Sequence, residues 1–188
     1  MDEKKDSKDI IAEALLKLLE RKSLENITAY EIVEKSGLSR RTFYNKFRDK
    51  YTVVEWIFLS HYKQHEKYFG EYLSWYRFTL EMSKTVKENK CFYKNVFRDR
   101  ELTERLADIT CGRFVNAIRR NNGITDEKLL PKKARFLSDF YCHAYMHELA
   151  VWTSNGFKET PEELLDLFYL TLSEEFKRLL KLPKAMDV

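Results

Sequence analysis

Glycine and proline are scarce in this chain, five and three among 188 residues. A strand-and-turn fold needs more of these breakers, so their rarity favours long helices. Cysteine is almost absent. Cys91, Cys111 and Cys142 are odd in number, widely spaced and without a CxxC pair. That argues against a disulfide framework or a thiolate metal site and fits reduced thiols in a cytosolic protein. No apolar run approaches the roughly 18 residues that a membrane-spanning helix requires. The opening MDEKKDSKD lacks the apolar core of a secretory signal. A cytoplasmic protein with no membrane partner is expected. Enzyme signatures are missing too, with no GxSxG, GxGxxG, P-loop or HExxH in the sequence. Neither enzymatic activity nor a cofactor is expected.

What is present points to an all-α protein. Hydrophobic residues make up 44% and aromatics 14%, enough to bury a sizeable core. The formal charge is +4, from 34 basic and 30 acidic residues, too small a surplus to imply nucleic acid by itself. Its distribution matters more.

Residues 1–9 read as a charged arm. From Ile10 to about Arg21 a helical period places Ile11, Ala14, Leu15, Leu18 and Leu19 on one face. Thr28 and Glu31 have the spacing of a capping box, with Ile27 and Ile32 placed as a hydrophobic staple. This second helix should stop at Gly37, which tolerates the left-handed C′ conformation. Ser39 can cap a third helix over about 40–47, with Leu38, Phe43 and Phe47 as its apolar edge. A fourth helix should start near 49–50 and continue through Val53, Val54, Trp56, Ile57 and Phe58. Further helices are expected near 71–88, 91–98, 101–121, 131–154 and 161–182, about nine in all.

Segments 28–36, 37–39 and 40–47 have the lengths and turn chemistry of a helix-turn-helix. In that arrangement one short helix crosses the phosphate backbone and the next enters the major groove. Between 35 and 50 stand Lys35, Arg40, Arg41, Lys46, Arg48 and Lys50 against a single acid, Asp49. The preceding stretch carries Glu20, Glu25, Glu31 and Glu34, so the positive charge is local, as phosphate neutralisation needs.

The run GLSRRTFYNKFRDK resembles the signature of the TetR family of bacterial regulators, matched at Gly37, Leu38, Ser39, Thr42, Phe43, Tyr44, Phe47 and Lys50. The longer stretch TFYNKFRDKYTVVEWIF resembles a subgroup that includes regulators associated with dihydroxyacetone-kinase operons. The resemblance implies a DNA-binding domain over 1–50 and a helical effector-binding and dimerisation domain over 51–188. By position it implies phosphate contacts from Thr28, Thr42, Tyr44 and Lys50, and base contacts from Arg40, Arg41, Asn45 and Lys46. It implies a homodimer on a pseudo-palindromic duplex, because one short helix reads too few base pairs for useful specificity. The function implied is a repressor released by a small-molecule effector. The alternative is an activator or coregulator gated by a protein partner.

The apolar faces of the last two expected helices extend round more than one stripe, as when a helix packs on two partners. The resemblance places a dimer interface there, with Phe140, Tyr141, Ala144, Leu167, Phe168 and Leu172 as candidates. The aromatic-dense stretch 56–78 and two HxxxH pairs supply a candidate effector pocket of Trp56, Tyr62, His65, Phe69, Tyr72, His143 and His147. An aromatic stripe at helical spacing is more often plain core. The pairs His61/His65 and His143/His147 have chelating spacing, but hydrogen-bonded histidines are the commoner outcome, and no metal is expected.

Overall fold

The computed structural model describes residues 6–70 and 74–180, and every regular element among them is helical. The helices are α1 (Ser7–Leu19), α2 (Ala29–Ser36), α3 (Arg40–Lys46), α4 (Lys50–His65), α5 (Ser74–Glu88), α6 (Lys90–Val96), α7 (Arg100–Asn121), α8 (Lys132–Ser154), α9 (Pro161–Thr171) and α10 (Glu174–Leu179). Short 3-10 turns precede α2, follow α4 and precede α8. The all-α architecture is the one expected, with ten α-helices among the described residues and not nine.

Two boundaries differ from the sequence reading. The charged arm is shorter, because the Asp6 carboxylate accepts the Lys8 N–H at 3.4 Å and starts α1 at Ser7. The helix expected over 161–182 is broken at Leu172 and Ser173, both in extended conformation. Ser173 then caps α10 by accepting the Phe176 N–H at 3.2 Å. The Tyr141 hydroxyl fills the gap, accepting from the Ser173 N–H at 2.8 Å and donating to the Thr171 carbonyl at 3.0 Å. Backbone groups freed by the break thus find a partner in one buried phenol.

The N-terminal unit closes over Ile11, Leu15 and Leu19 of α1, Ile32 of α2 and Phe43 of α3, all fully buried or nearly so. Rings of Phe43, Phe47 and Trp56 follow at centroid spacings of 6.2 and 6.3 Å, carrying the core from α3 onto α4. Helix α4 buries Val53, Val54, Ile57, Phe58 and Tyr62 because it packs on α1 and also on α5 and α7. Ion pairs join it to α7 near both ends, Glu55 with Arg105 and Glu66 with Arg113. Helix α6 makes a second connection. Asn95 accepts the Leu24 N–H at 3.0 Å, and the Cys91 thiol donates to the Leu19 carbonyl at 3.0 Å.

Candidate DNA-binding interface

Local chemistry sets the turn between α2 and α3. The Thr28 hydroxyl accepts the Glu31 N–H at 3.2 Å while the Glu31 carboxylate accepts the Thr28 N–H at 2.9 Å, completing the capping box. Lys22 pairs with the same carboxylate, and this contact with the two Thr28 hydrogen bonds holds Glu31 down to about 2. Helix α2 ends on Gly37 at φ 69°, a left-handed conformation costly for side chains. A Cβ there would meet nothing within 4 Å, so glycine is required by conformation and not by space. Ser39 restarts the chain, its hydroxyl accepting the Thr42 N–H at 3.0 Å.

Helix α3 anchors itself through Phe43 and Phe47, 0% and 5% exposed. The opposite face presents Arg40, Arg41, Tyr44, Asn45 and Lys46, all exposed. Among the described residues no carboxylate pairs with Arg40, Arg41 or Lys46. Tyr44 stands with its ring edge-on to Phe43 at 5.2 Å, so its orientation is braced from the core. At about 1.5 Å per residue the helix is short enough to enter a major groove roughly 12 Å wide. Tyr30 on α2 is also exposed, at 63%, and was missed as a candidate. Its place two residues after the Thr28 cap could have shown it.

The other three candidates have their polar groups engaged by neighbouring residues. Thr28 spends its N–H and hydroxyl on Glu31, and the Thr42 hydroxyl lies 2.8 Å from that of Ser39. Lys50 is the clearest departure. Its ammonium donates to the carbonyls of Leu24, Glu25 and Ile27 at 2.7, 3.0 and 2.8 Å, using all three of its donors. Burial pulls its pKa below the ordinary lysine value, against the opposing charges of Glu25, Asp99 and Glu31. In this geometry Lys50 ties α4 to the 24–27 turn.

The family pattern described as bacterial regulatory proteins, tetR family, matches residues 11–56, and the one described as transcriptional regulator C-terminal region, TetR_C_8, matches residues 74–174. The chain belongs to the TetR family. It is a transcription regulator carrying that family's DNA-binding helix-turn-helix. The HTH-type dhaKLM operon transcriptional activator DhaS of Lactococcus lactis subsp. lactis (strain IL1403) is 27% identical over 88 residues. That alignment covers 47% of this chain and 47% of the relative, so it spans about half of the relative's length. Two solved structures share the fold. One is a dihydroxyacetone kinase operon activator DhaS, at TM-score 0.62 and 19% identity, covering 92% of this chain and 97% of that one. The other is a TetR transcriptional regulator from Streptococcus agalactiae 2603V, at TM-score 0.63 and 17% identity, covering 89% and 94%.

In the body of this TetR-family chain the structure scatters the residues expected to form one effector pocket. Trp56 lies half-buried against Phe47 below the recognition helix. Tyr62 lines an internal cavity of about 30 Å³ with Trp75, Phe78, Thr110, Cys142 and Tyr145. The His65 Nε2 bonds the Thr85 hydroxyl at 2.9 Å, and His61 Nδ1 bonds the Tyr93 hydroxyl at 2.9 Å, so this pair is not oriented as a chelate. His143 and His147 face a groove between α7 and α8, away from Tyr62. Tyr72 and the Phe69 side chain lie outside the described residues. Helical period explains the scatter, since residues close in sequence on α4 face different neighbours.

The expected dimer residues divide in the same way. Tyr141, Phe168 and Leu172 are buried in their own core, where Tyr141 stacks on Phe176 at 4.3 Å and meets Phe168 edge-on. Ala144 is half-buried. Phe140 and Leu167 remain outside at 57% each, joined by Phe136 at 68% and Leu170 at 80%, which the candidate set lacked. Residues 136, 140, 147 and 151 recur at helical spacing, a signal available in the sequence.

Proposed function

We propose that the chain acts as a homodimer that inserts two copies of α3 into successive major grooves of a pseudo-palindromic duplex. The observation that carries this reading is the face of Arg40, Arg41, Tyr44, Asn45 and Lys46, exposed and unpaired above a ring-anchored core. Arginine matches guanine and asparagine matches adenine through bidentate contacts, while Lys46 and Tyr44 reach phosphates. Thr28, Thr42 and Lys50 position the helix. Residues 1–50 read DNA, and 51–188 hold the control and dimer surfaces. The dimer face is the exposed set Phe136, Phe140, Leu167 and Leu170, an apolar group that a monomer would leave wet. Productive binding requires the two α3 helices about 34–36 Å apart.

For its control we infer repression relieved by a small effector that opens the core around Tyr62. At about 30 Å³ the cavity is far too small for a metabolite and must expand to admit one, since ligand sites run to roughly 300–1,000 Å³. Two observations favour the second reading, an activator gated by a protein partner. One is that small volume, and the other is that the similar Lactococcus protein is named an operon activator. The deciding experiment selects duplexes from a random pool and measures affinity against salt. An Arg40→Ala/Arg41→Ala/Lys46→Ala variant with wild-type circular dichroism should lose selection and flatten the salt dependence. Wild-type binding by that folded variant would refute the reading.

A further inference from the structure

Two side chains from other positions border α3 at the ends of the motif remote from the 37–39 turn. At the start of α2, Tyr30 stands two residues after the Thr28 cap and is 63% exposed. Its phenol has no hydrogen-bond partner among the described residues. At the end of α3, the Lys8 ammonium of α1 lies 5.9 Å from the centre of the Phe47 ring. Phe47 is the C-cap of α3, 5% exposed, and is held by the rings of Phe43 and Trp56. Lys8 is half-buried there, and a lysine so seated lays its stem on apolar surface while keeping its ammonium in water. The cations at this end of α3 then divide. Arg48 pairs with Asp49, and Lys50 donates to three carbonyls of its own chain. Asp6 accepts the Lys8 N–H as the cap of α1, and no carboxylate pairs with the Lys8 ammonium among the described residues. Lys8 and Lys46 are left to meet an external anion.

We propose that Lys8 and Tyr30 grip the backbone phosphates that flank the groove occupied by α3, so that three helices and not one hold the duplex. The inference rests on the reading of α3 given above. A duplex carries a phosphate charge about every 1.7 Å along its axis, so a helix seated in the major groove has phosphates on both sides. In a helix-turn-helix the first helix crosses that backbone, and Tyr30 stands on that helix. Lys8 serves the other side, at the C-terminal end of α3, where the packed Phe47 ring fixes its stem. Phenols and ammonium groups both donate to phosphate oxygens without reading sequence. The two grips differ in kind. Lys8 neutralises a phosphate and displaces a counterion, whereas Tyr30 adds a neutral donor and displaces none.

The test uses the full chain, a duplex that the wild type selects from a random pool, and a random-sequence duplex of the same length. Affinity is measured across a salt series, on variants whose circular dichroism and urea midpoint match wild type. Lys8→Met keeps the stem on Phe47 and removes the charge. In the dimer it should lower the slope of log affinity against log salt by ~1.8, one contact from each half. That corresponds to a loss of roughly 60-fold at 0.1 M salt, on the selected and random duplexes alike. Lys8→Arg should restore both slope and affinity. Tyr30→Phe should bind at least ~10-fold more weakly with the wild-type slope. A wild-type slope in Lys8→Met would overturn the Lys8 grip, and so would a loss confined to the selected duplex, which would mark a base contact. Wild-type affinity in Tyr30→Phe would overturn the Tyr30 grip. Normal binding by the folded Arg40→Ala/Arg41→Ala/Lys46→Ala variant would remove the reading of α3 instead, while the Lys8→Met slope would still decide the Lys8 contact.

Discussion

Replacing Lys50 with methionine separates two roles that a lysine beside a recognition helix can have. The change keeps the aliphatic stem and removes the ammonium, which donates to the Leu24, Glu25 and Ile27 carbonyls at 2.7, 3.0 and 2.8 Å. A hydrogen bond from a charged donor contributes roughly 1.5–3 kcal/mol net. Three such bonds from one ammonium do not add fully, and in this half-buried seat the carbonyls can partly return to water. A loss of about 2–3 kcal/mol follows. With a urea dependence of roughly 1–3 kcal/mol per molar, the unfolding midpoint should fall by about 1 M. DNA binding gives the complementary measurement. Each phosphate contact adds ~0.9 to the slope of log affinity against log salt. Lys50→Met should retain the wild-type slope, and Lys46→Ala, which removes one contact from each half of the dimer, should lower it by ~1.8. An unchanged urea midpoint with a slope lowered by ~1.8 in Lys50→Met would refute the assignment and return Lys50 to the phosphates.

Gly37→Ala should cost about 1–2 kcal/mol by urea titration, through backbone conformation alone, because a Cβ there meets nothing. A loss above roughly 3 kcal/mol would mean hidden crowding. His61 is held down to about 4, chiefly by burial and secondarily by the charge of His65, while the unfolded imidazole titrates near 6.5. The unfolded chain therefore takes up the proton first. Stability is full above about 6.5 and falls as pH drops toward 4, by an amount on the order of 3 kcal/mol. Urea midpoints should show this fall for wild type and a flatter profile for His61→Phe, and parallel profiles would contradict it. Burying each exposed ring contributes roughly 1.5–3 kcal/mol, so Phe136→Asp/Phe140→Asp should weaken self-association at least ~100-fold by sedimentation. Tyr141→Phe should stay dimeric and lose about 1 kcal/mol of fold stability. The reverse pattern would move the dimer face elsewhere.

Sequence reasoning worked wherever cause and effect lie within one turn of helix. The Thr28–Glu31 cap, the stop at Gly37 and the start at Ser39 are interactions of residues three or fewer positions apart, and all three are present in the fold. The break at Ser173 carries the same kind of signal, a serine ahead of two glutamates, but the leucine pattern runs straight through it and masks it. Lys50 could not be read this way, since its acceptors lie 23 to 26 positions earlier in a turn with no pattern of its own. Phe140 and Tyr141 show a second limit. They are adjacent and alike in chemistry, yet one faces out at 57% and the other is buried at 7%. A wide apolar face says that a helix has two neighbours without saying which flank meets its own chain.

The turn at 24–27 is held by two helices, by Lys50 at the root of α4 and by Asn95 on α6, with Cys91 on Leu19 just upstream. Such a mount has no free pivot. On the DNA-binding reading proposed above, a change in the pitch of α3 would have to carry α4 and α6 with it, so its angle on the double helix would be set by both helices together. On the same reading, small rearrangements deep in the body would register as tilt at the groove, and substitutions that loosen this mount should blunt signalling before they reduce contact with bases.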